Sequence, residues 1–194
     1  MSQQTEEQTI NVGVIGAGGR MGRMLIEAVQ DNPQTTLNAA IERQGSSLVG
    51  ADAGEVAAIG RLEVQIVDDL KAVINDIDVL IDFSLPDATE QNMQICAANK
   101  VAMVIGTTGF NEQQEQVLKE ASKQIAIVYA GNYSTGVNLS LKLLAMAAKA
   151  FGNDADVEVI EAHHKHKIDA PSGTAYMMAE AVAEARGQNL KDVA

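Results

Sequence analysis

The residues able to do chemistry gather in two places. His163-His164-Lys165-His166-Lys167 holds all three histidines of the protein and two of its lysines. Imidazole titrates near working pH and an ammonium group is a compact cation, so such a segment can give a proton and hold an anion. It runs into Asp169-Ala170-Pro171-Ser172-Gly173-Thr174. A proline ahead of a helix, followed by Ser-Gly-Thr, leaves N–H groups and hydroxyls open to an anion. Cations beside a helix N-terminus imply a small polyanionic ligand, most simply a dicarboxylate. Three readings compete on these residues. His164 and His166, on one face of an extended strand, could chelate a metal with Glu161 or Asp169. The segment could be a solvated basic loop. The sharper reading is a proton donor with a carboxylate-binding lysine; no cysteine stands nearby, and no metal is expected.

The second place is the glycine turn that begins at Gly16. The apolar run Ile-Asn-Val-Gly-Val-Ile opens into Gly16-Ala17-Gly18-Gly19-Arg20-Met21-Gly22 and then into a stretch with helical spacing. Glycine is needed where a chain turns sharply, where backbone approaches a pyrophosphate, and where helix and strand pack closely. The helix N-terminus adds unpaired N–H groups and a positive dipole. A strict G-x-G-x-x-G from Gly16 would require glycine where Met21 stands, so the better fit is G-x-x-G-x-x-G through Gly16, Gly19 and Gly22. Glu42, at the end of the second predicted strand, has the position of an acid that accepts bonds from a ribose. Arg43 beside it could meet a 2′-phosphate, which leaves NAD and NADP both open. The same pair also reads as an ordinary surface ion pair, and the turn as a plain strand-to-helix joint. Asp82-Phe83-Ser84, Gly106-Thr107-Thr108 and Gly131-Asn132-Tyr133 follow later strands, where they would face the nucleotide.

These positions require a particular scaffold. Short β-branched runs alternate with longer Ala- and Gln-rich stretches of helical period. Strands are predicted at 10–15, 37–41, 64–67, 79–83, 101–105 and 125–129, and helices near 20–31, 69–75, 86–99 and 111–123. Runs such as VLIDF are too continuously apolar for a half-exposed sheet, which predicts parallel strands covered on both faces. The expected fold is a Rossmann-type, doubly wound α/β domain. Residues 43–60 read as a long loop over one edge. Beyond residue 132 a helix at 137–151 is expected to be buried through Leu139, Leu143, Leu144 and Met146, with a strand at 156–162 and a last helix over 174–186. Met24, Met93, Met146, Met177 and Met178 read as core filler and Cys96 as a buried, inert thiol.

Composition narrows the partners. The chain has 194 residues and a formal net charge of −12, with 46% hydrophobic and 21% charged residues, as in globular proteins. With no Trp and three each of Tyr and Phe, it lacks the stacking platforms and the positive charge of nucleic-acid binders. A single cysteine and a polar N-terminal octet predict a cytoplasmic protein. No apolar run approaches the roughly 20 residues that span a bilayer, so no membrane is expected.

VGVIGAGGRMGR, VIGTTGF and EAHHKHKIDAPSGTA together resemble the dihydrodipicolinate reductase family, over the chain from about Asn11 onward. The resemblance implies a step of lysine and diaminopimelate biosynthesis. NADPH or NADH would deliver hydride to C4 of a cyclic unsaturated imine dicarboxylate, giving tetrahydrodipicolinate. His163 would then be the general acid that protonates the ring carbon, with Lys167 holding and polarising the substrate. His164, Ser172, Gly173 and Thr174 would bind its carboxylates. Gly16, Ala17, Gly18, Gly19, Arg20 and Met21 would wrap the pyrophosphate, with Glu42 and Arg43 at the adenosine ribose. Gly106, Thr107 and Thr108, and Ala130, Gly131, Asn132 and Tyr133, would meet the nicotinamide end. Family members are longer, and their second domain completes a mixed sheet used in tetramer assembly. The expected organisation is therefore a flexible N-terminus at 1–9, a dinucleotide-binding domain at 10–131, and at 132–194 part of an α+β substrate and tetramerisation domain. A homotetramer is implied for the full-length form. Two other classes stay open: a nucleotide-binding fragment or redox sensor without turnover, and another two-domain dehydrogenase acting on semialdehydes or sugars.

Overall fold

The computed structural model describes residues 9–163, 165 and 170–193. The roles expected of His164 and Lys167, and most of the N-terminal segment 1–9, lie outside the described residues. The chain forms two compact units, Met1–Ala130 and Gly131–Ala194.

The first unit runs β1 (Ile10–Ile15), α1 (Arg20–Asp31), β2 (Thr35–Ile41), α2 (Ala53–Ala57), β3 (Ile66–Val67), α3 (Leu70–Val73), β4 (Val79–Asp82), α4 (Pro86–Asn99), β5 (Ala102–Ile105), α5 (Glu112–Ala121) and β6 (Ile127–Tyr129). All neighbouring strands pair in parallel, in the order β3-β2-β1-β4-β5-β6. The order reverses between β1 and β4, which opens a crevice beyond their carboxyl ends. Local signals set the helix limits. Asn111 and Gln114 form a reciprocal capping box at the start of α5, and Pro86 opens α4, which Lys100 closes in the left-handed region.

Strand residues alternate between two cores. Val12, Val14 and Ala40 pack with Ile26 and Val29 of α1, while Leu80, Met103 and Ile105 pack with Met93 and Cys96 of α4. Full burial of each large side chain contributes about 1.5–3 kcal/mol. Strand β2 departs from simple alternation. Val12 pairs with Leu37 but Gly13 pairs with Ala39, so Asn38 is bulged out of the register. Leu37 accordingly joins the α1 core, whereas Ala39 and Ile41 join the α4 core. The bulge reverses the phase of everything after it.

Several expectations need correction. Residues 43–60 are not one loop: Asp52 caps α2 through the Gly54 and Glu55 N–H groups and also accepts from Leu62 N–H. These bonds hold its carboxyl below the usual range, the bond from Leu62 being the largest cause. Met24 is 62% and Met146 69% exposed, so neither fills a core, whereas Met93 is fully buried.

The second unit holds α6 (Thr135–Phe151), α7 (Gly173–Ala185) and α8 (Leu190–Val193), with α6 and α7 packed together. The long helix is not buried as predicted. Leu139 and Leu143 are more than half exposed, and Ala148 is its buried residue. Segment 156–162 is not a strand; it has no ladder partner among the described residues, and Ile160 is exposed. The two corrections share a cause, since an apolar helix face is buried only against another layer. Among the described residues no sheet stands there.

Candidate functional site

In the first unit the glycine turn lies where β1 meets α1. Gly16 takes φ +70°, a conformation that glycine adopts without steric cost. Its N–H and that of Ala17 both donate to Ile41 C=O, at 2.8 and 3.1 Å, which ties the turn to the end of β2. Gly22 is held against the turn so closely that a Cβ there would stand 2.0 Å from Gly16 O. Gly19 is the N-cap of α1, and the N–H groups of Arg20 and Met21 that follow have no acceptor within the helix. A small anion suits that place, because the N–H groups and the helix dipole both point at it.

Glu42 reaches this turn. Its Oε1 accepts from Gly18 N–H at 2.8 Å and its Oε2 from Arg43 N–H at 3.2 Å. Each carboxylate oxygen keeps a further lone pair for a hydroxyl donor. A Cβ on Gly18 would lie 3.2 Å from Glu42 Oε1 and 2.1 Å from Leu48 Cδ1, so glycine leaves room for both. A cleft of about 700 Å³ opens beside Gly16, Glu42, Arg43, Ser84 and Asn92. A smaller hollow of about 300 Å³ adjoins Gly19, Arg20, Met21 and Phe83. The two recesses share Ile15, Gly16 and Glu42, near the point where the sheet order reverses.

The loops after β4 and β5 differ from expectation in which groups they present. Asp82 is fully buried. Its Oδ1 accepts from the Ser84 N–H and hydroxyl at 2.9 and 2.6 Å, and its Oδ2 from Asn92 Nδ2 at 2.8 Å. The Thr107 hydroxyl is also turned inward, 2.8 Å from Thr89 Oγ1, which lies 3.3 Å from Ser84 Oγ. A buried polar chain from Asp82 to Thr107 thus fixes both loops, and Thr108 remains exposed. Gly106 is required by contact: a Cβ would fall 2.1 Å from Phe83 Cε1. Sequence reading placed Asp82 among the ligand-facing residues. It missed Thr89 and Asn92, whose only signal was polarity on the inner face of α4. Cys96, nearby in the same core, behaves as expected: burial, with the Asp82 carboxylate as a lesser cause, pushes its thiol up to about 12.

After β6, the Ala130 N–H donates to Ile105 C=O at 3.2 Å. In the second unit, Asn132 Oδ1 accepts from Ser134 N–H at 2.7 Å, Gly131 and Tyr133 flank it, and Ser134 caps α6.

The second unit also carries the segment around His163. His163 Nε2 lies 2.7 Å from Glu161 Oε2. Glu161 accepts in addition from the Ser172 N–H at 2.8 Å and from the Ser172 hydroxyl. These bonds, led by the hydroxyl of Ser172 and then by His163, hold the Glu161 carboxyl down at about 2. Ser172 also caps α7 by accepting from Ala175 N–H at 3.0 Å. The N–H groups of Gly173 and Thr174 have no acceptor within the helix, and the space beside Gly173 is open. Ser172, expected to bind a ligand carboxylate, already binds one supplied by the chain. The metal alternative rests on His164, His166 and Asp169, which lie outside the described residues. No helix among the described residues is long and apolar enough to cross a membrane.

Comparison with known proteins accounts for both halves. The family profile "Dihydrodipicolinate reductase, N-terminus" matches residues 10–133 and "Dihydrodipicolinate reductase, C-terminus" matches 136–193. A 4-hydroxy-tetrahydrodipicolinate reductase of Psychrobacter arcticus is 90% identical over 193 residues, which is all of this chain and 69% of that protein. One from Acinetobacter baylyi is 59% identical over 180 residues, 93% of this chain and 66% of that protein. The chain thus spans about two thirds of the length of these relatives. Among solved structures, a dipicolinate-bound dihydrodipicolinate reductase from Paenisporosarcina sp. TG-14 superposes with a TM-score of 0.73 at 32% identity, covering 92% of this chain and 67% of that one. A scyllo-inositol dehydrogenase from Lactobacillus casei, at 16% identity and a TM-score of 0.53, shares the fold alone. With the two family profiles matched in order, the first along a parallel sheet of this topology, the chain belongs to the dihydrodipicolinate reductase family.

Proposed function

We propose that the protein reduces 4-hydroxy-tetrahydrodipicolinate, or the dihydrodipicolinate derived from it, to tetrahydrodipicolinate with NADPH or NADH, in lysine and diaminopimelate biosynthesis. One observation carries the reading. A chain 90% identical throughout to a named reductase keeps an open glycine turn faced by Glu42 together with a carboxylate-bound His163.

The two recesses suit a dinucleotide. Gly16 leaves the turn open, and the amides of Arg20 and Met21 would take the pyrophosphate. Glu42 and Arg43 would meet the adenosine ribose, with Arg43 available to a 2′-phosphate. Gly106 and Thr108, and the segment from Ala130 through Gly131 and Asn132 to Tyr133, would hold the nicotinamide end. The nicotinamide supplies a hydride when bound. In the second unit, Gly173 and Thr174 would present two amides to one substrate carboxylate, and His163 would give the proton that a reduced ring carbon requires. His164 and Lys167 complete the substrate set in the family resemblance. Residues 10–131 are assigned to the dinucleotide and 132–194 to substrate and assembly, in a cytoplasmic homotetramer when full length. Neither nucleic acid nor membrane is a partner, in keeping with the net charge of −12.

The test supplies aspartate semialdehyde and pyruvate to the preceding synthase and follows nicotinamide absorbance in the presence of the full-length protein. Turnover is expected, with a loss of about 10²–10⁴-fold in His163→Ala, the usual worth of a positioned general acid. No turnover by the full-length protein would overturn the function. A His163→Ala form as fast as the parent would overturn the role of His163.

A further inference from the structure

Glu161 has no part in the proposed reaction so far, yet its carboxylate bonds both the His163 ring and Ser172. One carboxylate joins three groups. Oε2 meets the His163 ring at Nε2, 2.7 Å away, and the Ser172 hydroxyl, while Oε1 takes the Ser172 N–H at 2.8 Å. Ser172 is 4% exposed and is itself the N-cap of α7, so it is anchored to the unit's packed interior. His163 and Glu161 sit on an irregular segment, which by itself fixes no ring orientation. The carboxylate supplies what the backbone does not.

We infer that Glu161 is a positioning residue: it ties the ring of His163 to the N-cap of α7, so that the proton donor and the amides of Gly173 and Thr174 are held in one fixed relation. This rests on the proposed role of His163. Two consequences follow from the bonding. A carboxylate accepts only, so the nitrogen facing it carries hydrogen, and Nδ1 is the nitrogen left to face a substrate. In the protonated ring, the Nδ1–H bond breaks as the substrate carbon's electron pair takes the proton. The neutral ring then keeps its hydrogen on Nε2, still bonded to Glu161. The second consequence is that Ser172, whose hydroxyl and N–H both face Glu161, holds the carboxylate that holds the ring. The helix dipole at this end favours the resident negative charge, and the carboxyl held down at about 2 stays ionised wherever an enzyme of this kind works.

The test uses the full-length enzyme with Glu161→Gln, Glu161→Asp, His163→Ala and the Glu161→Gln/His163→Ala pair. Expected for Glu161→Gln is a fall in kcat of about 10–10²-fold, smaller than loss of the acid itself. KM for the nicotinamide cofactor should stay unchanged, and Glu161→Asp should recover part of the rate. In the His163→Ala background the Gln substitution should cost nothing further, within about twofold, because its effect passes through the ring. Histidine labelled with ¹⁵N gives a reading that needs no turnover: the Nε2 resonance should show a proton held in a strong bond in the parent and a weakened one in Glu161→Gln. Should Glu161→Gln not fold, Glu161→Asp and the ¹⁵N spectrum of the parent carry the test. A kcat within twofold of the parent, losses that multiply in the double variant, or a parent spectrum with Nε2 unprotonated would each overturn the inference. An active His163→Ala enzyme would instead overturn the underlying role of His163.

Discussion

Two glycines at the start of α1 face the same oxygen and should respond very differently to alanine. A Cβ on Gly22 would stand 2.0 Å from Gly16 O, and also 2.7 Å from Gly16 C and 2.9 Å from Ala17 Cα. A Cβ on Gly19 would stand 3.1 Å from that oxygen. Contacts under 3.0 Å do not persist, so Gly22→Ala must part helix and turn by about 1 Å, and every opposing atom is backbone that cannot swing aside. Overpacking costs about 1–3 kcal/mol; the rigid surroundings place this case at the upper end. Alanine in a helix returns up to about 1 kcal/mol, which leaves a net loss of about 2 kcal/mol. For a chain of this size that lowers Tm by about 4–8 °C. The same displacement moves the Arg20 and Met21 amides relative to Gly16, so nucleotide affinity should fall at least about tenfold, or 1.4 kcal/mol. Gly19→Ala needs an adjustment of a few tenths of an ångström, at a residue whose φ of −71° alanine adopts freely. Its melting point should stay within about 2 °C of the parent. Thermal melts and NADH fluorescence titrations of both variants decide the matter. Equal effects, or a worse effect from Gly19→Ala, would refute the claim that close approach of helix to turn is what glycine serves here.

Three further outcomes are expected. Asp82→Ala takes the acceptor from the buried amide of Asn92, while the Ser84 hydroxyl keeps Thr89, and should cost about 2 kcal/mol in urea unfolding; a loss under about 1 kcal/mol would mean the network is dispensable. The Glu161 carboxyl falls from 4.5 in the unfolded chain to about 2 when folded, so the unfolded state binds the proton first. Its contribution to stability is therefore present above about pH 4.5 and is lost as pH falls toward 2. Acid titration of stability should be flatter over that window in Glu161→Gln, and parallel curves would contradict the assignment. Cys96, fully buried and raised to about 12, should resist a thiol reagent in the native state and react at the unfolding rate; rapid labelling without unfolding would show it to be accessible.

How much could be read in advance depended on how local each cause was. Strands β1 and β4 and helices α1 and α4 fell close to their predicted limits because apolar runs, Pro86 and the glycine turn act within a few residues of themselves. Helix α2 escaped notice. Its cap is Asp52, but the Leu62 N–H that shares this carboxylate lies ten residues on, across an isolated bridge between Asp52 and Gln65. Helix α6 was recognised as a helix from its period and misjudged in burial, since periodicity tells which residues share a face and not whether a layer covers it. Thr89 and Asn92 stand among five other polar side chains on α4, so their type does not set them apart, and only their partners Thr107 and Asp82 show them to be interior.

The sequence by itself determined the class of fold, the glycine turn and the residues that mark the family, because each depends on composition or on neighbours close along the chain. Tertiary structure decided which way those residues point. Counting alternation from Leu37 places the side chain of residue 42 on the α4 side of the sheet. The bulge at Asn38 shifts it by one residue, and Glu42 emerges on the α1 side, within 2.8 Å of the Gly18 N–H. Likewise Glu161, His163 and Ser172 are spread over a dozen residues, and their joining through one carboxylate depends on where α7 begins in space. A side chain's type is a property of the sequence. Its direction and its partner follow from strand register and helix placement, which the whole fold sets at once.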